Sequence, residues 1–239
     1  MPGRFLEIGI RTSDIRASVE FYERLGFAQA RTGDTWPHPY GVLTDGRLFI
    51  GLHQSSFDSP ALTLVHADIA RHARALAAQG VNLAHECTAE EQFHSIGLKD
   101  PNEQMLLLVE ARTFSPVERR AQQHSLCGYF EEYSIPSSDF AAARAFWEPL
   151  GFVATEETDV PYPHMALTSD HLDIAFHRPD ICAQAMLVFS DALMQQRIAK
   201  LRELAIGTWL QTPRGLSTQA NALLAAPEGT PLLLLHEEL

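Results

Sequence analysis

The sequence predicts an α+β chain in which one unit is written twice, each copy holding two βαβββ modules, four in all. Three observations carry that prediction. "EIGIRTSDIRASVEFYERLGF" (Glu7 to Phe27) recurs as "EYSIPSSDFAAARAFWEPLGF" (Glu132 to Phe152), 125 positions further on. "PHPYGVLTDGRLFIGLH" (Pro37 to His53) recurs as "PYPHMALTSDHLDIAFH" (Pro161 to His177), and "LKDPNEQMLLLVE" answers "LAAPEGTPLLLLHE" near the end of each copy. Within a copy, the hydrophobic rhythm switches between the two-residue period of strands and the helical period. The copies span 1–112 and 128–239, each of ordinary domain size. The charged, Gln-rich segment 113–127 reads as a linker, with a helical turn expected after Pro116.

The elements follow in order. "FLEIGI" alternates as a strand. Ser13 or Asp14 can cap a helix through "IRASVEFYERLG", whose buried stripe is Val19, Tyr22 and Leu25 with Phe21 beside it, and Gly26 stops it. Three strands follow, "FAQART", "YGVLTD" and "RLFIGLH", the last two joined by a turn at Asp45-Gly46. The second module repeats the scheme with strand "ALTLVHA", helix "DIARHARALAAQG" and shorter strands ending in "MLLLVE".

Composition narrows the function. A net charge of −12 over 239 residues argues against a nucleic-acid partner. No apolar run approaches the roughly 18 residues needed to cross a bilayer, so no membrane partner is expected. "MPGRFLEIGIRTSD" lacks a signal peptide's apolar region. Three scattered cysteines, Cys87, Cys127 and Cys182, suit reduced packing thiols and a cytoplasmic location.

The element order, with "FYERLGF", "FWEPLGF" and the closing "KDPNEQMLLL", resembles the vicinal oxygen chelate superfamily. That is the family of glyoxalase I, bleomycin- and fosfomycin-resistance proteins and extradiol dioxygenases. The resemblance covers all but the linker, and its Asp-Pro turn is eroded to "APEG" in the second copy. It implies that each pair of modules curls into an open barrel, with helices outside and a ligand on the concave face. The barrel could close within one domain or by exchange between the protomers of a homodimer; both occur in the superfamily, and both stay open at this point.

Strand parity then selects residues. Leu48, Ile50 and Leu52 should pack on helices, which sends Gly51 and His53 to the concave face, together with Glu7 and Gly9 of the first strand. Glu132 and His177 are their counterparts. In metal-dependent members the ligands come from the first, fourth, fifth and eighth strands. Those positions fall here on Glu7, Gly51, Ala61 and Leu107, and in the second copy on Glu132, Ala175, Gln184 and Leu233. One carboxylate per copy is too few for a divalent ion, so neither metal nor other cofactor is expected. The room left at Gly51 and Ala175 suits an organic ligand at the former metal position. "PHPY" and "PYPH" offer rigid aromatic rims, His38 with Tyr40 and Tyr162 with His164, to which Trp36 adds. His94 falls at a pocket-facing place on the seventh strand.

The resemblance and these residues together imply a glyoxalase/bleomycin-resistance-like protein. It would bind a small, planar, partly polar molecule without the usual metal, through Glu7, His38, Tyr40, His53, His94, Glu132, Tyr162, His164, His177 and Gln184. The alternative is a lyase, isomerase or dioxygenase of the superfamily, using a displaced divalent metal or a Glu/His acid-base pair.

Overall fold

The structure is a computed structural model that describes residues 3–31, 36–110, 125–170 and 172–236. Most of the expected linker, including the turn after Pro116, lies outside the described residues. Of its last three residues, Leu126 is tied to the first half through its N–H, which donates to the Leu25 carbonyl at 2.7 Å, Ser125 accepts from Arg197 of the second half, and Cys127 is fully buried.

The first half runs β1 (Arg4–Arg11), α1 (Ile15–Arg24), β2 (Ala28–Gln29), β3 (Tyr40–Thr44), β4 (Phe49–His53), β5 (Ala61–His66), α2 (Ile69–Ala78), β6 (His85–Cys87), β7 (Ser95–Lys99) and β8 (Met105–Glu110). The second repeats it as β9 (Tyr129–Pro136), α3 (Phe140–Trp147), β10 (Val153–Ala154), β11 (His164–Thr168), β12 (Ile174–His177), β13 (Met186–Asp191), α4 (Met194–Glu203), β14 (Thr208–Leu210), β15 (Ala222–Ala225) and β16 (Pro231–His236). These are the four βαβββ modules that the periodicity predicts.

Each half forms one eight-stranded sheet, ordered β2-β3-β4-β1-β5-β8-β7-β6 in the first and β10-β11-β12-β9-β13-β16-β15-β14 in the second. The modules of a half meet where β1 pairs antiparallel with β5, and β9 with β13. Each sheet is therefore complete within its own half and open at both edges.

Local chemistry explains the helix ends. Asp14, not Ser13, caps α1 by accepting from the Ala17 N–H at 3.0 Å, and Asp139 caps α3 in the same way through Ala142. Gly26 takes φ 93°, a left-handed conformation that ends α1 at little cost. The buried stripe of α1 is Ser18, Phe21 and Tyr22, continued by Leu25, with Val19 only partly covered. "FAQART" pairs over two residues only, so β2 is shorter than its sequence suggests.

Parity holds through the sheets except at the start of β1, where a bulge between Phe5 and Glu7 puts Phe5 on the helix-bearing side and Leu6 on the other, against the simple alternation of "FLEIGI". Ile8, Ile10, Leu48, Ile50, Leu52, Leu106 and Leu108 pack on the helix-bearing side in one cluster that also takes in Tyr133, Ile174, Phe176 and Phe189 of the second half. Burying each such side chain is worth about 1.5–3 kcal/mol, and the two halves share this core. Two reciprocal clasps add direction. Asp100, in the Asp-Pro turn before β8, accepts from the buried Trp147 indole N–H at 3.0 Å. Tyr22 occupies the place of Trp147 in the first half, and its hydroxyl donates to Glu228 at 2.8 Å, as does Ser18. In the eroded "APEG" turn the carboxylate has moved two positions along, and it meets a phenol in place of an indole.

Candidate functional site

The side of each sheet away from the helices holds the candidate residues. In the first half, β1 and β4 run parallel with Gly9 beside Gly51 and Arg11 beside His53, while β3 sets Tyr40 opposite His53. Glu7 is fully buried, so its carboxyl must be satisfied by neighbours. Tyr40 donates its hydroxyl to Glu7 Oε2 at 2.5 Å, and His53 Nε2 lies 2.8 Å from Glu7 Oε1. The other ring nitrogen, His53 Nδ1, lies 2.9 Å from His38 Nε2. The four residues thus form a chain from a buried carboxyl to a half-buried imidazole: Glu7, His53, His38, with Tyr40 alongside.

Aromatic rings enclose that chain. Trp36 meets His53 edge-on at 5.1 Å between centroids, and Phe57 does so at 5.3 Å. Trp36 also touches the rings of His38, Tyr40 and Phe93, the last 58 % exposed at the rim. Behind it lie Leu6, Val65, Leu107 and Val109. The Trp36 indole N–H is shielded from solvent and has no hydrogen-bond partner among the described residues. Burial, and then the neighbouring His53, lower the pKa of His38.

Gly51 has a different part from the one its size suggested. A Cβ there would sit 2.1–2.3 Å from the Glu7 carboxyl atoms. The space is filled by Glu7 itself, which leaves no room at Gly51 for the organic ligand expected there.

The second half keeps the register and loses the constellation. β12 sets His177 opposite His164, and Glu132 pairs with Val188 as Glu7 pairs with Thr63. His177, however, donates Nε2–H to the Cys182 carbonyl at 2.9 Å and accepts from the Ser134 hydroxyl at Nδ1, 2.8 Å away. Both nitrogens of this fully buried ring are occupied, and burial lowers its pKa to about 4. Ser134 stands where the first half has Gly9, and Ala175 where it has Gly51, so the space that admits the Glu7 carboxyl is occupied. Glu132 has no hydrogen-bond partner among the described residues, and its pKa is pushed up to about 8 by burial, then by Glu131 and Asp173. Tyr162, the counterpart of His38, is buried among Met186, Val188, Leu223 and Leu233 and fills this face; His164 Nδ1–H is tied to the Tyr162 carbonyl at 2.9 Å.

Two further candidates lie elsewhere. His94 Nδ1 pairs with Glu110 at 2.6 Å; Glu110 follows Leu106 and Leu108 in the alternation of β8, which puts this pair on the helix-bearing side. Gln184 is exposed and precedes β13; Met186, opposite Ser134 as Ala61 is opposite Gly9, holds the position assigned to it. Conversely, Phe57 and Phe93 gave no sequence signal beyond being apolar in loops. The exchange of Gly9 for Ser134 was visible in "EIGI" against "EYSI", and Ser134 is one of the two partners that occupy His177.

No family model and no curated protein matches this sequence. Solved structures do. A catechol 2,3-dioxygenase superposes with TM-score 0.60 at 17% identity, over 96% of this chain and 86% of that one. Homoprotocatechuate 2,3-dioxygenase from Arthrobacter globiformis gives 0.63 at 18%, over 97% and 78%. An extradiol ring-cleaving dioxygenase from B. fuscum gives 0.63 at 14%, over 99% and 72%. The chain has the vicinal oxygen chelate fold.

Within that fold, the ligand positions implied by the resemblance hold one carboxylate and no imidazole in the first half, Glu7 with Gly51, Ala61 and Leu107. The second is no richer, with Glu132, Ala175, Met186 and Leu233. A displaced set around His53 fares no better. Its two ring nitrogens diverge, so Glu7 on one and His38 on the other cannot reach a common ion. Among the described residues, no group of three His, Cys, Asp or Glu is placed to hold a metal. The residues do not fit the divalent ion of the metal-dependent members.

Proposed function

We propose that the chain binds a small, planar, partly polar molecule of the phenol class at the first half's His38–Tyr40–Phe57–Phe93 rim, without a metal ion. The observation that carries this reading is the buried Glu7 carboxyl, held by Tyr40 and His53 over Gly51, with its polarity passed outward to His38. The rings of Trp36, Phe57 and Phe93 supply stacking surface. Affinity would come from apolar enclosure and a few placed polar groups. The second half, filled by Tyr162, serves as scaffold, so one ligand binds per chain. Division at 1–112 and 128–239, a cytoplasmic location and a homodimer belong to the same reading.

A ring-cleaving dioxygenase is the second reading, favoured by the likeness to catechol and homoprotocatechuate dioxygenases along nearly the whole chain. Calorimetry with phenols and catechols, beside metal analysis of protein purified without chelator, separates the two. The first reading expects saturable binding at one equivalent and substoichiometric metal. One equivalent of iron or manganese, lost in Glu7→Ala together with ring cleavage, would overturn it in favour of the second.

A further inference from the structure

The arrangement of His38, His53 and Glu7 says more than that a ligand binds. Glu7 receives two neighbours at once: Tyr40 O–H on Oε2 and His53 Nε2 on Oε1. As a carboxylate it can only accept, so the network assigns the His53 proton to Nε2. His53 Nδ1 is then an acceptor, and the contact of 2.9 Å makes His38 Nε2 the donor. One nitrogen is left over. His38 Nδ1 carries a lone pair, has no hydrogen-bond partner among the described residues, and belongs to the half-buried ring of the chain, at the rim.

We propose that His38 Nδ1 is the general base of this site, taking the proton of an acidic hydroxyl on a bound planar phenol, with His53 and Glu7 as the positioning residues that orient its ring and receive the proton it passes inward. This deepens the binding reading above and rests on it. The step balances without any oxidant or other reactant. The ligand O–H bond breaks and a bond from Nδ1 to hydrogen forms on His38. The His38 Nε2–H proton passes to His53 Nδ1. A phenolate is left at the rim, and an imidazolium on His53 faces the Glu7 carboxylate, so the buried charge arises beside its counter-ion. Reversal returns the proton to oxygen, or delivers it to a ring carbon made electron-rich by ionisation.

The repeat supports the assignment by contrast. Where His38 stands, the second half has Tyr162; where Gly9 leaves the His53 Nε2 edge to Glu7, Ser134 ties up His177; and Ala175 takes the space of the carboxyl. Each part of the relay is altered there. A neutral His38 is required for it to accept a proton, and burial and His53 both favour that form.

4-Nitrophenol tests the proposal, because its phenolate absorbs visible light and its phenol does not. The whole chain is titrated to saturation below the probe's own pKa, so that the ionised fraction is read independently of affinity. The expected result is a bound probe that is mostly phenolate in the natural protein. His38→Phe, which keeps a ring at the rim, should bind it as the phenol. Glu7→Gln should reduce the ionised fraction severalfold and shift the pH midpoint of ionisation upward, with circular dichroism reporting the fold of each variant. A probe that binds but stays protonated, or is ionised equally by His38→Phe, would overturn the relay while leaving the binding site standing. Absence of saturable binding would overturn both.

Discussion

Replacing Glu132 by glutamine should stabilise the protein, and increasingly so as pH rises. The carboxyl has an ordinary value of 4.5 and is pushed up to about 8 in the folded chain by burial, Glu131 and Asp173. Between those values the folded state keeps a proton that the unfolded chain has released. The unfolding free energy therefore falls as pH climbs from 4.5 towards 8, and above 8 the folded chain carries the ionised group at full cost. Each pH unit across that span is worth about 1.4 kcal/mol, which caps the effect near ~5 kcal/mol. Part of the side chain remains in solvent, so a gain of about 2–3 kcal/mol at pH 8.5 is the expected size. Glutamine keeps the shape and cannot ionise, so its advantage should shrink steadily towards pH 5. Urea unfolding at several pH values between 5 and 9 reads this directly. A stability difference that stays constant over that range, or a variant less stable at pH 8.5 than the natural chain, would refute the claim that Glu132 is held protonated in a site built without a partner for it.

His177 works from the other side: with its value lowered to about 4, stability should fall as pH drops from 6.5 to 4, and His177→Gln should flatten that limb in the same urea series. Gly51→Ala drives a methyl group into the Glu7 carboxyl and should cost about 1–3 kcal/mol in thermal unfolding, while Ala175→Gly removes a fully buried methyl group and should cost about 1–2 kcal/mol. Removing the Glu228 carboxylate takes away the charged acceptor that the buried Tyr22 hydroxyl and Ser18 share between the halves. Glu228→Ala should then lower stability by about 1–3 kcal/mol and Glu228→Gln by less.

The architecture was legible because it rests on period and repetition, which a single sequence displays. β4 could be assigned a helix-facing side from Leu48, Ile50 and Leu52 alone, and Asp14 and Gly26 marked the ends of α1. The site was legible only in part. Parity puts Glu7, Gly51 and His53 on one side of a sheet but does not say which way an imidazole turns, and that depends on what stands beside it. His94 shows the limit: its place near β7 was foreseen, but the 2.6 Å contact with Glu110 takes it to the other face. Gln184 shows another, since an alignment that slips by two residues across the loop before β13 names the wrong side chain, and only the strand register corrects it.

The two halves also show why matching letters are weak evidence for matching chemistry. His53 and His177 close the same motif, on paired strands of the same register, and yet one meets a carboxyl and an imidazole while the other meets a serine and a carbonyl. The difference lies in residues that carry no chemistry of their own. Glycine at 9 offers His53 no competing hydrogen bond, and glycine at 51 gives the Glu7 carboxyl a place to lie. A serine and an alanine at the same places close both options, after which His177 can only be neutral and Glu132 can only be protonated or strained. Gly9→Ser tests this reasoning at a single atom. Its hydroxyl would come within reach of His53 Nε2, in competition with Glu7, and the 4-nitrophenol ionised by the first half should decline without loss of fold. Full retention of ionisation in a folded Gly9→Ser chain would mean that the small residues are incidental and that some other feature holds His53 on Glu7.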